Sequence, residues 1–187
     1  MLELVIFAVL IGSGVYLLEF LREKKPVPEF TEEQIKQEWR ELGFFCEVDH
    51  DKKVWTLTGS RAGLLYFSDL LLGYVTDSRN ASNGSRKKYG PYGTLEVMTA
   101  PDAGLGNSIR GSSTALTHLA ELVEEKLAFA QAGEQVRIRR DYAPDTLYSL
   151  MLDIQPDGFD PASADRERLG SVMTMAGRKT EVEARAR

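Results

Sequence analysis

A single cysteine, Cys46, among 187 residues rules out an intrachain disulfide, so the fold must be held by packing and hydrogen bonds alone. Histidine is nearly as scarce. His50 and His118 stand far apart, and neither belongs to a Cys-x-x-Cys or His-x-x-x-His ligand pair, which removes the usual zinc patterns. The chain also lacks a Gly-x-Ser-x-Gly turn, a phosphate loop with its lysine, and the ligand series of a calcium loop. No internal repeat is present. These absences weigh against the common catalytic and metal chemistries and favour binding over catalysis.

The near misses have plainer explanations. Ser60, in Thr58-Gly59-Ser60-Arg61-Ala62-Gly63, stands where a strand turns into a helix, as a hydrolase nucleophile would; a helix-capping hydroxyl accounts for the same residues. Gly104-Leu105-Gly106 and Gly111 precede a helix but read as a flexible turn, and Asp153, Asp157 and Asp160 cluster without calcium-loop order. Cys46 beside Phe45 reads as a small core residue, with no neighbour that would lower its pKa. No catalytic residue, metal or cofactor is expected.

What the sequence does have begins at its start. Residues 4–18 are fifteen positions without a charge, whereas the mean hydropathy of the whole chain is −0.26. As a helix they would cover about 22 Å, against about 30 Å of hydrocarbon, and extension through Phe20 and Leu21 reaches roughly the needed length. The expectation is a single transmembrane helix. Residues 1–25 would be the anchor and its basic flank, residues 26–30 a linker stiffened by Pro26 and Pro28, residues 31–160 the folded domain, and residues 161–187 a disordered tail. Arg22, Lys24 and Lys25 after the span predict an inner-membrane, single-pass protein with its domain in the cytoplasm. Gly12, Ser13 and Gly14 are small enough to let a second membrane helix approach.

The rest reads as alternating helix and strand. Thr31-Glu32-Glu33-Gln34 has capping-box spacing and predicts a helix to about residue 42, stopped by Gly43. Residues 44–48 and 54–58 form a hairpin signal. Leu64, Phe67, Leu71 and Val75 then recur at helical spacing, as do Leu116, Leu119, Val123 and Leu127 further on. Residues 95–99, 136–140 and 148–154 read as strands, and residues 77–93 as one long loop. The predicted fold class is α+β, a mostly antiparallel sheet with helices packed on one face.

Charge is unevenly distributed. Residues 26–165 carry 14 basic and 22 acidic side chains, a net of −8, although the whole chain is only −5. An acidic domain repels nucleic acid and would steer a basic protein towards itself. One exception is Arg86-Lys87-Lys88-Tyr89-Gly90-Pro91-Tyr92, where cations adjoin two tyrosines. Arg86, Lys87, Lys88, Tyr89 and Tyr92 are therefore the candidate partner-binding residues.

Trp55-Thr56-Leu57-Thr58-Gly59-Ser60-Arg61-Ala62-Gly63-Leu64-Leu65, leading from a strand into an apolar helix, resembles the small immunity proteins of bacterial polymorphic toxin systems. The resemblance implies a small acidic α+β domain that neutralises a toxin by binding it. It carries over no functional residue. The functional expectation is a membrane-anchored, cytoplasm-facing protein-binding domain without enzymatic activity, with a scaffold subunit of an inner-membrane complex as the alternative and a hydrolase using Ser60 as a lower one.

Overall fold

Ile35, Trp39 and Leu42, spaced four and three apart, line one side of the first helix and are all buried, so the amphipathic pattern forms α1 (Glu32–Leu42) as the sequence predicts. The computed structural model describes residues 31–165. After α1 the chain runs through a hairpin, β1 (Phe45–Asp49) and β2 (Val54–Ser60), whose turn is tied by the Asp49 carboxylate accepting from the amides of Asp51 and Lys52. Alternation along β2 buries Trp55 and Leu57 and leaves their neighbours half-buried. Two long helices follow, α2 (Arg61–Thr76) and α3 (Ser113–Phe129), which pack on each other; the leucines predicted for their apolar stripes, Leu64 and Leu71 in α2 and Leu116, Leu119 and Leu127 in α3, are buried. Across that contact the Ser68 hydroxyl donates to a Glu124 carboxylate oxygen at 2.6 Å.

Between the two helices lie β3 (Arg86–Tyr89), β4 (Leu95–Thr99), β5 (Gly104–Leu105) and β6 (Ile109–Gly111); after α3 come β7 (Gln135–Ile138) and β8 (Ser149–Gln155). They form two four-stranded sheets, in the orders β1-β2-β8-β7 and β3-β4-β6-β5. Both are mixed. In each the central pair is parallel, β2 with β8 and β4 with β6, and the flanking pairs are antiparallel. This corrects the expected single, mostly antiparallel sheet. Sequence neighbours do pair as hairpins, but β2 reaches β8 only across α2, the whole second sheet and α3, and such a long crossover sets two strands parallel. Single side chains tie the sheets together: the Trp55 indole donates to the Gly106 carbonyl at 2.8 Å, and the Tyr142 hydroxyl to the Arg110 carbonyl at 2.6 Å.

Residues 161–165 are part of this unit. Pro161–Ala164 form a 3₁₀ turn in which Pro161 and Ala162 are buried, and next to it Asp165 accepts a 2.7 Å hydrogen bond from the Trp39 indole. Arg40 pairs with Asp160 at 2.8 Å on the same side of α1. A second correction concerns the membrane. No helix among the described residues is long and apolar enough to cross one, which overturns the expected transmembrane fold, the membrane keywords and the inner-membrane location. The segment that suggested them, residues 4–21 with Gly12, Ser13 and Gly14, lies outside the described residues, as does the rest of the expected tail, residues 166–187.

Candidate functional site

The basic cluster predicted as part of a loop is a strand. Arg86, Lys87, Lys88 and Tyr89 form β3, which pairs with β4 on one side and sits at the edge of its sheet. Order in the preceding segment comes from two buried hydroxyls. Tyr74 of α2 donates to the Ser85 carbonyl at 2.7 Å and lies 3.0 Å from the Thr99 hydroxyl, which itself donates to the Asn80 carbonyl. Asn80 reaches back to the Tyr74 carbonyl at 3.0 Å. Residues 77–85 are thereby pinned between α2 and β4. Asp77 opens the segment by accepting from the Arg79 amide and guanidinium, which hold its carboxyl down at about 2.

Register decides which groups of β3 face outward. Thr99 donates its amide to the Ser85 carbonyl at 2.9 Å, so Ser85 belongs to the bonded set of the antiparallel ladder, and Lys87 and Tyr89 follow it at every second position. The backbone N–H and C=O of Arg86 and Lys88 therefore point away from β4. Among the described residues nothing pairs with that rim.

Side chains sort by face in the same way. Lys87 and Tyr89 stand opposite Val97 and Leu95, both fully buried, so they share the core-facing side. Tyr89 is half-buried, its hydroxyl pushed up to about 12 by burial, and the Lys87 ammonium lies 5.1 Å from its ring centre. On the other face Arg86 and Lys88 approach the same Glu96 carboxylate, at 3.9 and 3.7 Å. Two cations over one carboxylate leave the outer face net positive.

Next to this edge runs a groove of about 680 Å³. Lys87, Lys88, Tyr89 and Gly90 form one wall; the other comes from Glu38, Glu41 and Leu42 of α1 and Tyr66, Asp69, Leu70 and Gly73 of α2. Gly90 (φ +69°) brings the end of β3 so close to α1 that a Cβ there would lie 2.9 Å from Leu42. At Gly73 the opposite holds: a Cβ would meet nothing within 4 Å, so the helix surface is open at that point. Tyr66 is 51% exposed on the same wall, and Tyr92, in the turn after β3, is 46% exposed. Thus the structure brings Arg86, Lys87, Lys88 and Tyr89 together on one strand with Tyr92 just beyond it. The α1 and α2 wall could not be foreseen, because those residues lie 13 to 51 positions from the strand in sequence.

Other candidates are placed elsewhere. Ser60 accepts from the Gly63 amide at 3.2 Å as the N-cap of α2, the part Ser112 plays for α3. Gly104 and Gly106 belong to the β5-β6 hairpin. His50 bonds the Tyr148 hydroxyl at 2.9 Å, His118 approaches Glu121 on α3, and Cys46 is buried in β1. Among the described residues no group of three or more His, Cys, Asp or Glu side chains could hold a metal ion. Comparison of the chain with protein-family models, curated proteins and solved structures finds no match.

Proposed function

We propose that this chain is a protein-binding domain whose contact surface is the β3 edge, the groove beside it and the exposed ring of Tyr92. One observation carries the reading: a strand rim whose outward backbone groups have no partner among the described residues adjoins a groove bearing exposed Tyr66, with exposed Tyr92 just beyond it. Unpaired strand edges are templates for another chain, and tyrosines supply large contact area at little entropic cost. Neutralising a toxin, as the resemblance to immunity proteins implies, is one form such binding takes. The partner then covers this face and holds it.

A photo-crosslinking residue placed in turn at Lys87, Tyr92 and, as a remote control, Asp157 of the full chain tests the proposal in the cells that produce it. The expected result is one covalent protein adduct from the first two positions, absent at the third, and the adduct from position 92 is lost when Lys87 and Lys88 are both changed to Glu. Adducts only from Asp157, or none from the β3 face, refute it.

A further inference from the structure

The β3 face has a polarity that specifies the kind of segment it accepts. Arg86 and Lys88 direct their backbone groups outward, and their side chains rise on the outer face, where Glu96 offsets one of the two charges. On the inner side, Glu38, Glu41 and Asp69 line the far wall of the groove, and Gly73 leaves room between wall and strand. We infer that an extended segment of the partner protein adds to β3 as a fifth strand, with acidic side chains beside Arg86 and Lys88 and aliphatic or basic ones turned into the groove over Gly73. This rests on the protein-binding reading and supplies its mode.

Three physical points converge on that occupant. An added strand satisfies the outward N–H and C=O of Arg86 and Lys88 by ladder hydrogen bonds, which give affinity independent of sequence, while alternating side chains give specificity. A second copy of β3 is disfavoured there, since its own Arg86, Lys87 and Lys88 would meet like charges across the pair. The cations that bar self-pairing are the same ones that select an acidic strand. A helix would leave the edge unpaired, because its backbone groups are already bonded internally.

The test uses the full chain and a capped heptapeptide with Glu at odd positions and Val or Lys at even positions, followed by fluorescence anisotropy. Four results are expected. The peptide binds, and more weakly as sodium chloride rises from about 50 to about 300 mM. N-methylation of the backbone amides that would face β3 lowers affinity by about tenfold or more, since it deletes ladder donors. Gly73→Phe, which fills the open space, lowers it about as much, while Gly73→Ala leaves it within about twofold. Exchanging Glu for Lys at the odd positions lowers it too, and Lys88→Glu reverses that preference. Circular dichroism and urea midpoints confirm that each variant folds, and Lys88→Glu serves if Gly73→Phe does not. Equal binding of the N-methylated peptide would reduce the interaction to charge alone and overturn the strand mode; so would no binding at all. If the crosslinks at Lys87 and Tyr92 form while the peptide fails, only the mode falls; if both fail, the protein-binding reading falls with it.

Discussion

Two glycines inside the same helix should respond to the same substitution with opposite signs. Gly63 and Gly73 both lie in α2, where replacing glycine by alanine normally stabilises by about 0.5–1 kcal/mol through lower chain entropy in the unfolded state. At Gly73 nothing opposes this gain, because an added Cβ meets no atom within 4 Å. At Gly63 an added Cβ would sit 2.0 Å from the Gly43 carbonyl oxygen and 3.0 Å from its carbon. Real Cβ atoms essentially never come within 3.0 Å of a neighbour, so the turn between α1 and β1 would have to retreat by at least 1 Å. That turn is fixed, since the Gly43 amide is bonded to Trp39 and its flanks carry buried Leu42 and Phe44. Forced overpacking costs about 1–3 kcal/mol and more when backbone must move. A net loss of about 3 kcal/mol for Gly63→Ala corresponds to a Tm lower by roughly 6–12 °C, against a rise of roughly 1–4 °C for Gly73→Ala. Urea denaturation with matched slopes and calorimetry would measure both. A Gly63→Ala variant as stable as the parent would refute the close approach of α2 to the α1-β1 turn.

Other consequences follow from single contacts. Ser60→Ala and Ser112→Ala each remove the side-chain acceptor at a helix start and should each cost about 1 kcal/mol by urea unfolding; a much larger loss at Ser60 alone would point to a role beyond capping. Trp39→Phe deletes the indole donor to buried Asp165 and should destabilise by about 1–3 kcal/mol, most of it recovered in the double variant with Asp165→Asn if the hydrogen bond carries the effect. The Asp160 carboxyl is held below its usual 3.8, chiefly by the hydrogen bond from Arg40, so its contribution is present above that pH and lost as the pH falls through the lowered value. The stability advantage of the parent over Arg40→Ala should therefore shrink as the pH falls below the usual 3.8, and an advantage unchanged by acid would refute the pairing. In the alkaline direction Tyr89, pushed up to about 12, holds its proton more tightly folded than unfolded. Stability should accordingly fall as pH rises from about 10 towards 12, less so in Tyr89→Phe, as urea midpoints would show.

How much of this was legible in the sequence depends on the range of the interactions involved. α1, α2 and α3, with the cap of α2 at Ser60, follow from patterns within a few residues, as does the β1-β2 hairpin. The strand at Arg86–Tyr89 does not, because three cations and a tyrosine carry no period-two apolar signal. It is ordered by Tyr74 and Thr99, whose hydroxyls act only once α2 and β4 lie side by side. The glycine-bearing connection at residues 100–111 similarly hides the short strands β5 and β6, which exist because β6 joins β4 in parallel.

For the candidate site, composition and charge alone singled out Arg86, Lys87, Lys88, Tyr89 and Tyr92 as candidate contact residues in an otherwise acidic domain. Tertiary structure decided what they form. Hydrogen-bond register turned Arg86 and Lys88 outward, packing of α1 and α2 supplied the opposite wall with Glu38, Glu41 and Asp69, and the missing side chain of Gly73 left the space between. The same division holds for the sheets. Local sequence determined which segments become strands and helices, since propensity, capping and periodicity act between near neighbours. Pairing β2 with β8 and β4 with β6 closes loops across intervening elements, and that cost is offset by the burial of Trp55, Leu57, Leu150 and Leu152 from the first pair and Leu95, Val97 and Ile109 from the second in one shared core.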